Sequence, residues 1–203
     1  MAEANRDRRF LVIDNAMDSG FVDAMRTLVL DRRTEFAPAG IYHRERGAEL
    51  AQDTRNCVRL GDLGALRTPF QTAVEQRTAE AAAWLGLNPR LTAGEFEICA
   101  YGDAGFFESH QDMVRAPGRV RTLTCVYYFA FPDAAFTGGE LRIHAWPRPM
   151  PGSDLPSADI APTTNRLIFL PSILPHEVRP VHVPTAEWRD YRFNLTCWFW
   201  QAM

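Results

Sequence analysis

The pattern of apolar positions in the N-terminal part of the chain predicts one short strand followed by two helices. The run FLVID is short and apolar, as strands are, and Asp18 or Ser19 can cap the helix after it. The apolar residues of this first helix recur at helical spacing and are Phe21, Met25, Leu28 and Val29. We expect a second helix from Thr68 to Gly86, with Pro69 in its first turn. One stripe of that helix holds Phe70, Val74, Ala81, Trp84 and Leu85.

From about residue 95 the pattern changes to that of β-strands. The strand-like segments are EFEICAY, RVRTLTCVYYFAF, GELRIHAW, NRLIFLP and RDYRFNLTCWFW, and Gly- and Pro-bearing connections separate them. Helices followed by many strands indicate an α+β protein with a sandwich or jelly-roll core. We expect a single domain over residues 1–203, with helical support in about 1–93 and the jelly-roll core in about 94–203.

Two segments interrupt these regular patterns. Residues 39–56 are polar and weakly patterned, and they are predicted to form either a surface loop or a lid over a site. Residues 146–165 are rich in proline, which cannot donate into a central ladder, so we expect an irregular excursion there. The prolines of this second segment are Pro147, Pro149, Pro151, Pro156 and Pro162.

Composition narrows the class of protein. The 203 residues are 46% hydrophobic, which is enough for one sizeable core. The net charge is −3, and the arginines are spread among acids, so no nucleic-acid partner is expected. The chain has no apolar stretch of the roughly 20 residues that a membrane span needs. Its start, MAEANRDRRF, is charged rather than apolar, which favours a cytoplasmic protein without a membrane partner.

The cysteines predict neither disulfides nor a structural zinc site. The four residues Cys57, Cys99, Cys125 and Cys197 form no CxxC pair. The last three lie inside apolar strand-like runs, where a buried free thiol is the ordinary arrangement.

Candidate metal ligands occur in FFESHQDMV, where His110 and Asp112 are two residues apart. In an extended segment that spacing points both side chains to one face, although surface residues also fall this close by accident. His176, after the apolar run RLIFLP, is a candidate third ligand. Two imidazoles and one carboxylate form the facial triad of non-haem iron(II) oxygenases, which leaves coordination positions open. The other histidines, His43, His144 and His182, have no such neighbours and are predicted to be structural or exposed.

The last predicted strand has one polar and one apolar face. The polar face holds Arg192, Asn194, Thr196, Trp198 and Trp200, and the apolar face holds Phe193, Leu195, Cys197 and Phe199. The segment 119–131 divides in a comparable way, with Thr122, Thr124, Val126 and Tyr128 on one side. The polar faces are either solvated outer surfaces or the lining of a barrel mouth, and the pattern leaves both interpretations open.

Taken together, the C-terminal motifs resemble those of the prolyl 4-hydroxylase-like 2-oxoglutarate/iron(II) dioxygenases, which include the hypoxia-sensing prolyl hydroxylases. The resemblance runs from Tyr101 to Phe199, about half of the chain, in the order that the family uses. Its blocks are YGDAGFFESHQD, RTLTCVYYFAF, GGELRI, RLIFLPS, HEVRPV and RFNLTCWF. The resemblance implies a double-stranded β-helix, a jelly-roll core supported by N-terminal helices.

The resemblance also implies roles for individual residues. His110, Asp112 and His176 match the iron ligands, and Arg192 matches the residue that pairs with the distal carboxylate of 2-oxoglutarate. An arginine suits that role because its planar fork donates two parallel hydrogen bonds to a carboxylate. Tyr128 matches the family position whose hydroxyl also reaches that carboxylate, and Tyr101 and Thr196 match positions near the cosubstrate or the metal.

The position of the basic residue departs from the family pattern. Arg192 lies sixteen residues after His176, farther than the family places it, and HVPTAEW is predicted to lengthen the hairpin. Arg189 is therefore a competitor. Arg192 is preferred because it keeps the family spacing to Trp198 and shares the polar face.

The activity that the resemblance implies is hydroxylation of an aliphatic C–H bond with release of succinate and CO2. The cofactors would be Fe(II), 2-oxoglutarate and O2, with ascorbate as a reductant. The substrate would be a small molecule or a peptide, prolyl-like or otherwise derived from an amino acid, and residues 39–56 and 146–165 are predicted to select it.

Several alternatives use the same scaffold or the same ligands. They are a catalytically inactive jelly-roll binding module, an oxidation other than hydroxylation such as desaturation or cyclisation, and a zinc hydrolase. Halogenation is disfavoured because halogenases of this kind have a small residue where this chain has Asp112.

Overall fold

Three α-helices lie in the N-terminal half of the computed structural model, which describes residues 7–43, 47–88, 90–145 and 156–203. They are α1 (Ser19–Asp31), α2 (Arg67–Glu75) and α3 (Thr78–Leu85). The carboxylate of Asp18 caps α1 by accepting from the backbone N–H of Phe21 at 2.8 Å. Gly86, at φ 68°, ends α3 in the left-handed region, where glycine carries no steric penalty. None of these helices in the described ranges is long and apolar enough to cross a membrane.

The single helix expected from Thr68 to Gly86 is wrong in two respects. The helix begins at Arg67 without a side-chain cap, so Thr68 lies inside its first turn. It is also divided in two, because α2 ends at Glu75 and α3 begins at Thr78, whose hydroxyl donates to the Glu75 carbonyl at 2.7 Å.

Antiparallel strands, numbered along the chain, form two main sheets in the described residues. The larger sheet has the spatial order β1 (Leu11–Asp14), β14 (Arg166–Pro171), β10 (Arg119–Phe129), β17 (Arg192–Ala202), β7 (Thr92–Tyr101), β6 (Val58–Leu60) and β2 (Ala37–Pro38), with β9 (Arg115–Ala116) paired to β10. The smaller sheet has the order β13 (Ala158–Ile160), β12 (Leu141–Ile143), β15 (His176–Val178), β8 (Phe106–His110) and β5 (Arg55–Asn56). Two separate pairs are β3 (Ile41–His43) with β4 (Gly47–Glu49), and β11 (Thr137–Gly138) with β16 (Val181–His182).

The larger sheet is buried on both faces, which differ in chemistry. Its outer face packs on the helices through the alternate apolar residues of β17, such as Leu195 and Phe199, which belong to the same apolar core as Met25 and Phe70. Its inner face, together with the smaller sheet, encloses a cavity. The α+β class with a jelly-roll core and supporting helices is therefore confirmed.

The expected division at residue 93 is too simple, because the N-terminal part also supplies strands. From it, β1, β2 and β6 join the larger sheet and β5 joins the smaller one. The strand predicted at FLVID is β1, which is confirmed, whereas β2, β5 and β6 have two or three residues, too few for a sequence period to reveal them.

Both segments predicted to lack regular structure contain strands as well. Residues 39–56 include β3, β4 and β5, while 44–46 lie outside the described residues. Within 146–165, residues 146–155 lie outside the described residues, and β13 is a strand at the edge of the smaller sheet. An edge strand tolerates neighbouring prolines because only one of its sides is paired. All four cysteines are buried and free.

Candidate active site

The three candidate metal ligands converge at the smaller sheet. His110 ends β8 and His176 begins β15, and the two residues are directly paired between these strands. Asp112 follows β8 by two residues and lies between the imidazoles. Its Oδ1 is 3.7 Å from Nε2 of His110, and its Oδ2 is 3.4 Å from Nε2 of His176. The three ligand atoms lie within 4.8 Å of one another.

Backbone carbonyls fix the orientation of both imidazoles. Nδ1 of His110 is 2.7 Å from the Glu108 carbonyl, and Nδ1 of His176 is 2.8 Å from the Leu174 carbonyl. A carbonyl only accepts, so each Nδ1 carries a proton, and in the neutral form of either imidazole Nε2 keeps a lone pair for a metal. The ring of Phe107 also stacks on His110, with centroids 3.6 Å apart.

Two buried hydroxyl groups orient the carboxylate of Asp112. The Thr124 hydroxyl donates to Oδ2 at 2.9 Å, and Oγ of Ser172 is 2.9 Å from the same hydroxyl. Thr124 has one proton and gives it to the carboxylate, so Ser172 must donate to Thr124. This relay runs from the larger sheet to the candidate metal ligand Asp112, and no sequence motif indicated it.

The charge states of the ligands suit metal binding. Burial raises the pKa of Asp112, but the adjacent His176 and His110 outweigh it and hold the pKa below its usual range. Burial, with His176 as the neighbouring charge, lowers the pKa of His110 to about 3. Burial lowers the pKa of His176 too, but Asp112 more than compensates and raises it. Asp112 is thus an anion and His110 a neutral donor at neutral pH, the forms that ligate metals.

The donor set fits iron(II). Two imidazoles and one carboxylate on one side of an ion leave the opposite positions open, as in non-haem iron(II) oxygenases. Among the His, Cys, Asp and Glu residues of the described ranges, His110, Asp112 and His176 form the group whose ligand atoms are close enough together to hold one ion.

Arg192 lines the same cavity as the candidate metal ligands and is buried, with 1% of its surface exposed. Its Nε donates to the Gly139 carbonyl at 3.1 Å, and its Nη2 donates to the Tyr128 hydroxyl at 3.2 Å. A short hydrogen bond joins Nη1 to the side-chain oxygen of Asn194. Within the described residues no carboxylate pairs with this guanidinium. A buried charge without a counter-ion is costly, so the site fits an anionic ligand.

Gly139 makes this placement of Arg192 possible. Its φ is +72°, and a Cβ at this position would lie 3.2 Å from Cγ and 3.3 Å from Nε of Arg192. Glycine is favoured here because it avoids both the strained backbone and the close contact. The GGELRI block contains this residue, although its motif alone did not assign it a role.

The remaining predicted cosubstrate residues lie around Arg192 or along the same strand. The ring centroids of Tyr128 and Tyr101 are 4.7 and 4.9 Å from Cζ of Arg192. Burial raises the pKa of Tyr128 although Arg192 opposes this, so the phenol keeps its proton and can donate. The hydroxyl of Thr196 accepts from the side-chain nitrogen of Asn194 at 2.9 Å.

All seven predicted site residues line one cavity of about 700 Å³. The solvated-surface interpretation of the polar face is therefore wrong for Arg192, Asn194 and Thr196, which are buried and line this cavity. Arg189 is exposed and lies over the ring of Phe131, away from the cavity lining.

An ion pair in the cavity wall was missed by the sequence analysis. Arg55 of β5 forms a short contact with Glu97 of β7, and both line the cavity. The alternation of EFEICAY places Glu97 on the same face as Tyr101, a signal that could have found it. Residues 39–56 contribute Gly40, Ile41, Thr54 and Arg55 to the lining, whereas residues 156–165 contribute none.

Comparison with known proteins identifies relatives of the region that carries these residues. The sequence profile of the 2OG-Fe(II) oxygenase superfamily matches residues 96–200. An uncharacterised PKHD-type hydroxylase of Synechocystis sp. is 28% identical over 144 residues, which cover 68% of this chain and 47% of that protein. The chain thus spans about half the length of this curated relative.

Solved structures support the fold. A prolyl-4-hydroxylase of Pseudomonas putida has a TM-score of 0.68 at 21% identity, covering 95% of this chain and 93% of that one. A prolyl hydroxylase of Trichoplax adhaerens, in complex with a peptide fragment of the hypoxia inducible factor oxygen degradation domain, has a TM-score of 0.68 at 18% identity. This match covers 95% of this chain and 83% of the Trichoplax chain.

Proposed function

The chain belongs to the 2OG-Fe(II) oxygenase superfamily, and we propose that it is an iron(II)- and 2-oxoglutarate-dependent dioxygenase that acts as a hydroxylase. One observation carries the proposal. The cavity lined by His110, Asp112 and His176 is also lined by Arg192, whose buried guanidinium pairs with no carboxylate of the described residues. A dicarboxylate cosubstrate of an iron enzyme requires an iron(II) site and a group that binds a carboxylate in the same cavity.

In this proposal the smaller sheet holds the metal. Nε2 of His110, Nε2 of His176 and a carboxylate oxygen of Asp112 are the ligands, and the backbone carbonyls behind each imidazole keep Nε2 aimed at the ion. The Thr124 hydroxyl keeps the carboxylate from rotating. Iron(II), when bound with 2-oxoglutarate and O2, supplies the oxidation of a C–H bond, with succinate and CO2 as by-products.

The larger sheet orients the cosubstrate. Arg192 and the Tyr128 hydroxyl would hold the distal carboxylate of 2-oxoglutarate in the cavity that the candidate metal ligands also line. Tyr101 and Thr196 form neighbouring parts of this wall. Because these groups are buried, the charge-assisted hydrogen bonds form away from competing water.

We propose an aliphatic carbon of a prolyl-like or other amino-acid-derived substrate as the site of hydroxylation. The support is the prolyl hydroxylase fold and a cavity with room for a residue-sized ligand beside the metal cluster. Residues 39–56, which line the cavity, are proposed to select the substrate, and residues 146–165 keep this role as a prediction. The single domain over 1–203, the cytoplasmic location and the use of ascorbate also stay predictions.

The test is a turnover screen with the iron-loaded protein. Free amino acids, prolyl peptides and their N-acetylated forms are added with 2-oxoglutarate, and succinate is measured together with a mass gain of one oxygen. We expect succinate and the oxidised product in equal amounts with a true substrate. A protein that binds the cosubstrate but never forms succinate is a binding module, and one that forms no succinate but hydrolyses the added peptides when loaded with zinc is a hydrolase.

A further inference from the structure

The part of the cavity wall that remains after the metal and cosubstrate residues are set aside is positively charged. In the described part of the chain it holds six charged side chains, namely Arg55, Arg59, Arg115, Arg121, Glu95 and Glu97. Four arginines thus face two glutamates, although the whole chain carries a net charge of −3. A cleft lined by an excess of one charge attracts ligands of the opposite charge.

One carboxylate of this wall is shared by two arginines. Cys99 of β7 pairs with Arg59 of β6, and Glu97 lies two residues before Cys99, so Arg59 and Glu97 share the cavity face of the sheet. One oxygen of Glu97 contacts Arg55, and the other is 3.4 Å from Nη1 of Arg59. A single negative charge between two guanidinium groups leaves one positive charge uncompensated.

Arg55 and Arg59, which carry this charge, differ in burial and in the groups that they contact. Arg55 is buried, donates to the Gly40 carbonyl at 3.1 Å, and has a buried Nε with no acceptor in the described residues. Its guanidinium lies over the ring of Phe107, which stacks on His110, so the charge is one aromatic ring away from a metal ligand. The side chain of Arg59 is 47% exposed, and its only ion pair in the described ranges is the 3.4 Å contact with Glu97. Arg59 is therefore free to receive another anion.

We propose that Arg59, supported by Arg55, binds an anionic group of the substrate, and that the substrate carries a carboxylate near the carbon that is oxidised. This inference rests on the proposed function and names its substrate class. A free amino acid or a peptide with its C-terminus near the reacting residue meets this requirement, whereas an internal residue of a neutral peptide does not. Arginine matches a carboxylate in shape and charge.

The experiment uses the whole protein loaded with Mn(II) and 2-oxoglutarate in the absence of O2. Two probes share a skeleton and differ in charge: N-acetyl-L-proline is an anion and N-acetyl-L-prolinamide is neutral. The paramagnetic relaxation of probe protons by Mn(II) reports how much of each probe binds beside the metal. We expect about tenfold tighter binding of the anion, as the loss of a charge-assisted hydrogen bond implies.

Two variants test whether Arg59 causes the preference for the anionic probe. Arg59→Gln is expected to bring the two probes to equal affinity. Arg189→Gln is the control, because Arg189 is an exposed arginine outside the cavity lining, and it should keep the wild-type preference. Equal relaxation of the two probes in the wild type overturns the inference. So does a preference that survives in Arg59→Gln, because the carboxylate would then be bound directly by the metal or by another residue.

Failure of the proposed function is detected separately. Binding of Mn(II) and of 2-oxoglutarate is measured before either probe is added. If one of them does not bind, the proposed function fails and the inference falls with it. If both bind and the probes are not discriminated, only the inference fails.

Discussion

The two faces of strand β17 are both buried, yet they contribute in opposite ways. The outer face carries Leu195 and Phe199, which pack against the helices and remove apolar surface from water. The inner face carries Arg192, Asn194 and Thr196, which are equally hidden but polar, and they bond largely to one another. Alternate residues of β17 thus have different parts: those on the outer face stabilise the fold, and those on the inner face are proposed to bind a ligand.

This difference indicates where stability and function reside in the molecule. Buried apolar groups stabilise a fold without any ligand, whereas a buried guanidinium without an acid costs free energy until an anion arrives. The same division holds on β10, where Tyr127 packs against the helices and Thr124 reaches the proposed metal ligand Asp112. Substitutions on the outer face should therefore change stability, and those on the inner face should change binding.

The largest effect is expected at the metal cluster. His110→Ala, Asp112→Ala and His176→Ala should each abolish iron-dependent succinate formation, because each removes one of three ligands. The melting temperature of the metal-free protein should change little, since these side chains face the cavity and not the helix-covered core. Near-normal turnover in any one variant at saturating iron would show that its residue is not a ligand.

On the outer face, Leu195→Ala should destabilise the protein by about 2–5 kcal/mol, because it leaves a cavity among packed apolar side chains. Urea unfolding followed by circular dichroism measures this loss. The affinity of the folded protein for 2-oxoglutarate should stay within a factor of about two. A large change in affinity with little change in stability would reverse the division between the faces.

On the inner face, Arg192→Ala should weaken 2-oxoglutarate binding by roughly 2–4 kcal/mol, or about 30- to 800-fold, because a buried charge-assisted pair is lost. Titration calorimetry on the Mn(II)-loaded protein gives this number. Arg189→Ala is the control and should bind as the wild type does, since Arg189 is exposed and outside the cavity lining. The opposite ranking of the two variants would assign the carboxylate to Arg189.

The smallest of these effects is expected at Thr124. Thr124→Val removes the hydroxyl that orients Asp112 and should weaken Mn(II) binding about 10- to 100-fold. Thr122→Val is a matched change on the same strand, and the hydroxyl of Thr122 has no partner in the described residues. That control should keep its Mn(II) affinity. Equal effects of the two substitutions would mean that the hydroxyl of Thr124 does not position the carboxylate.

The sequence predicted the strongly patterned parts of the fold and the residues with distinctive chemistry. The amphipathic helix after Asp18 and the alternation of β17 are long enough to be recognised, and the structure contains both. Strands of two or three residues, such as β5 and β6, have no period to detect. Their positions depend on pairing with distant strands.

The same limit applies to the site. The histidines, the aspartate and Arg192 stand out by residue type and motif order. Arg55 and Glu97 do not, because their pairing joins residues 42 positions apart through two different sheets. Ser172 likewise gains its part in orienting Asp112 only when β14 and β10 lie side by side.

The most direct test of this site is an anomalous diffraction measurement on crystals grown with Mn(II) and 2-oxoglutarate in the absence of O2. We expect one anomalous peak among Nε2 of His110, a carboxylate oxygen of Asp112 and Nε2 of His176. The distal carboxylate of 2-oxoglutarate should lie within hydrogen-bonding distance of Arg192 and the Tyr128 hydroxyl. A metal peak elsewhere, or a cosubstrate carboxylate that does not contact Arg192, would contradict the assignment.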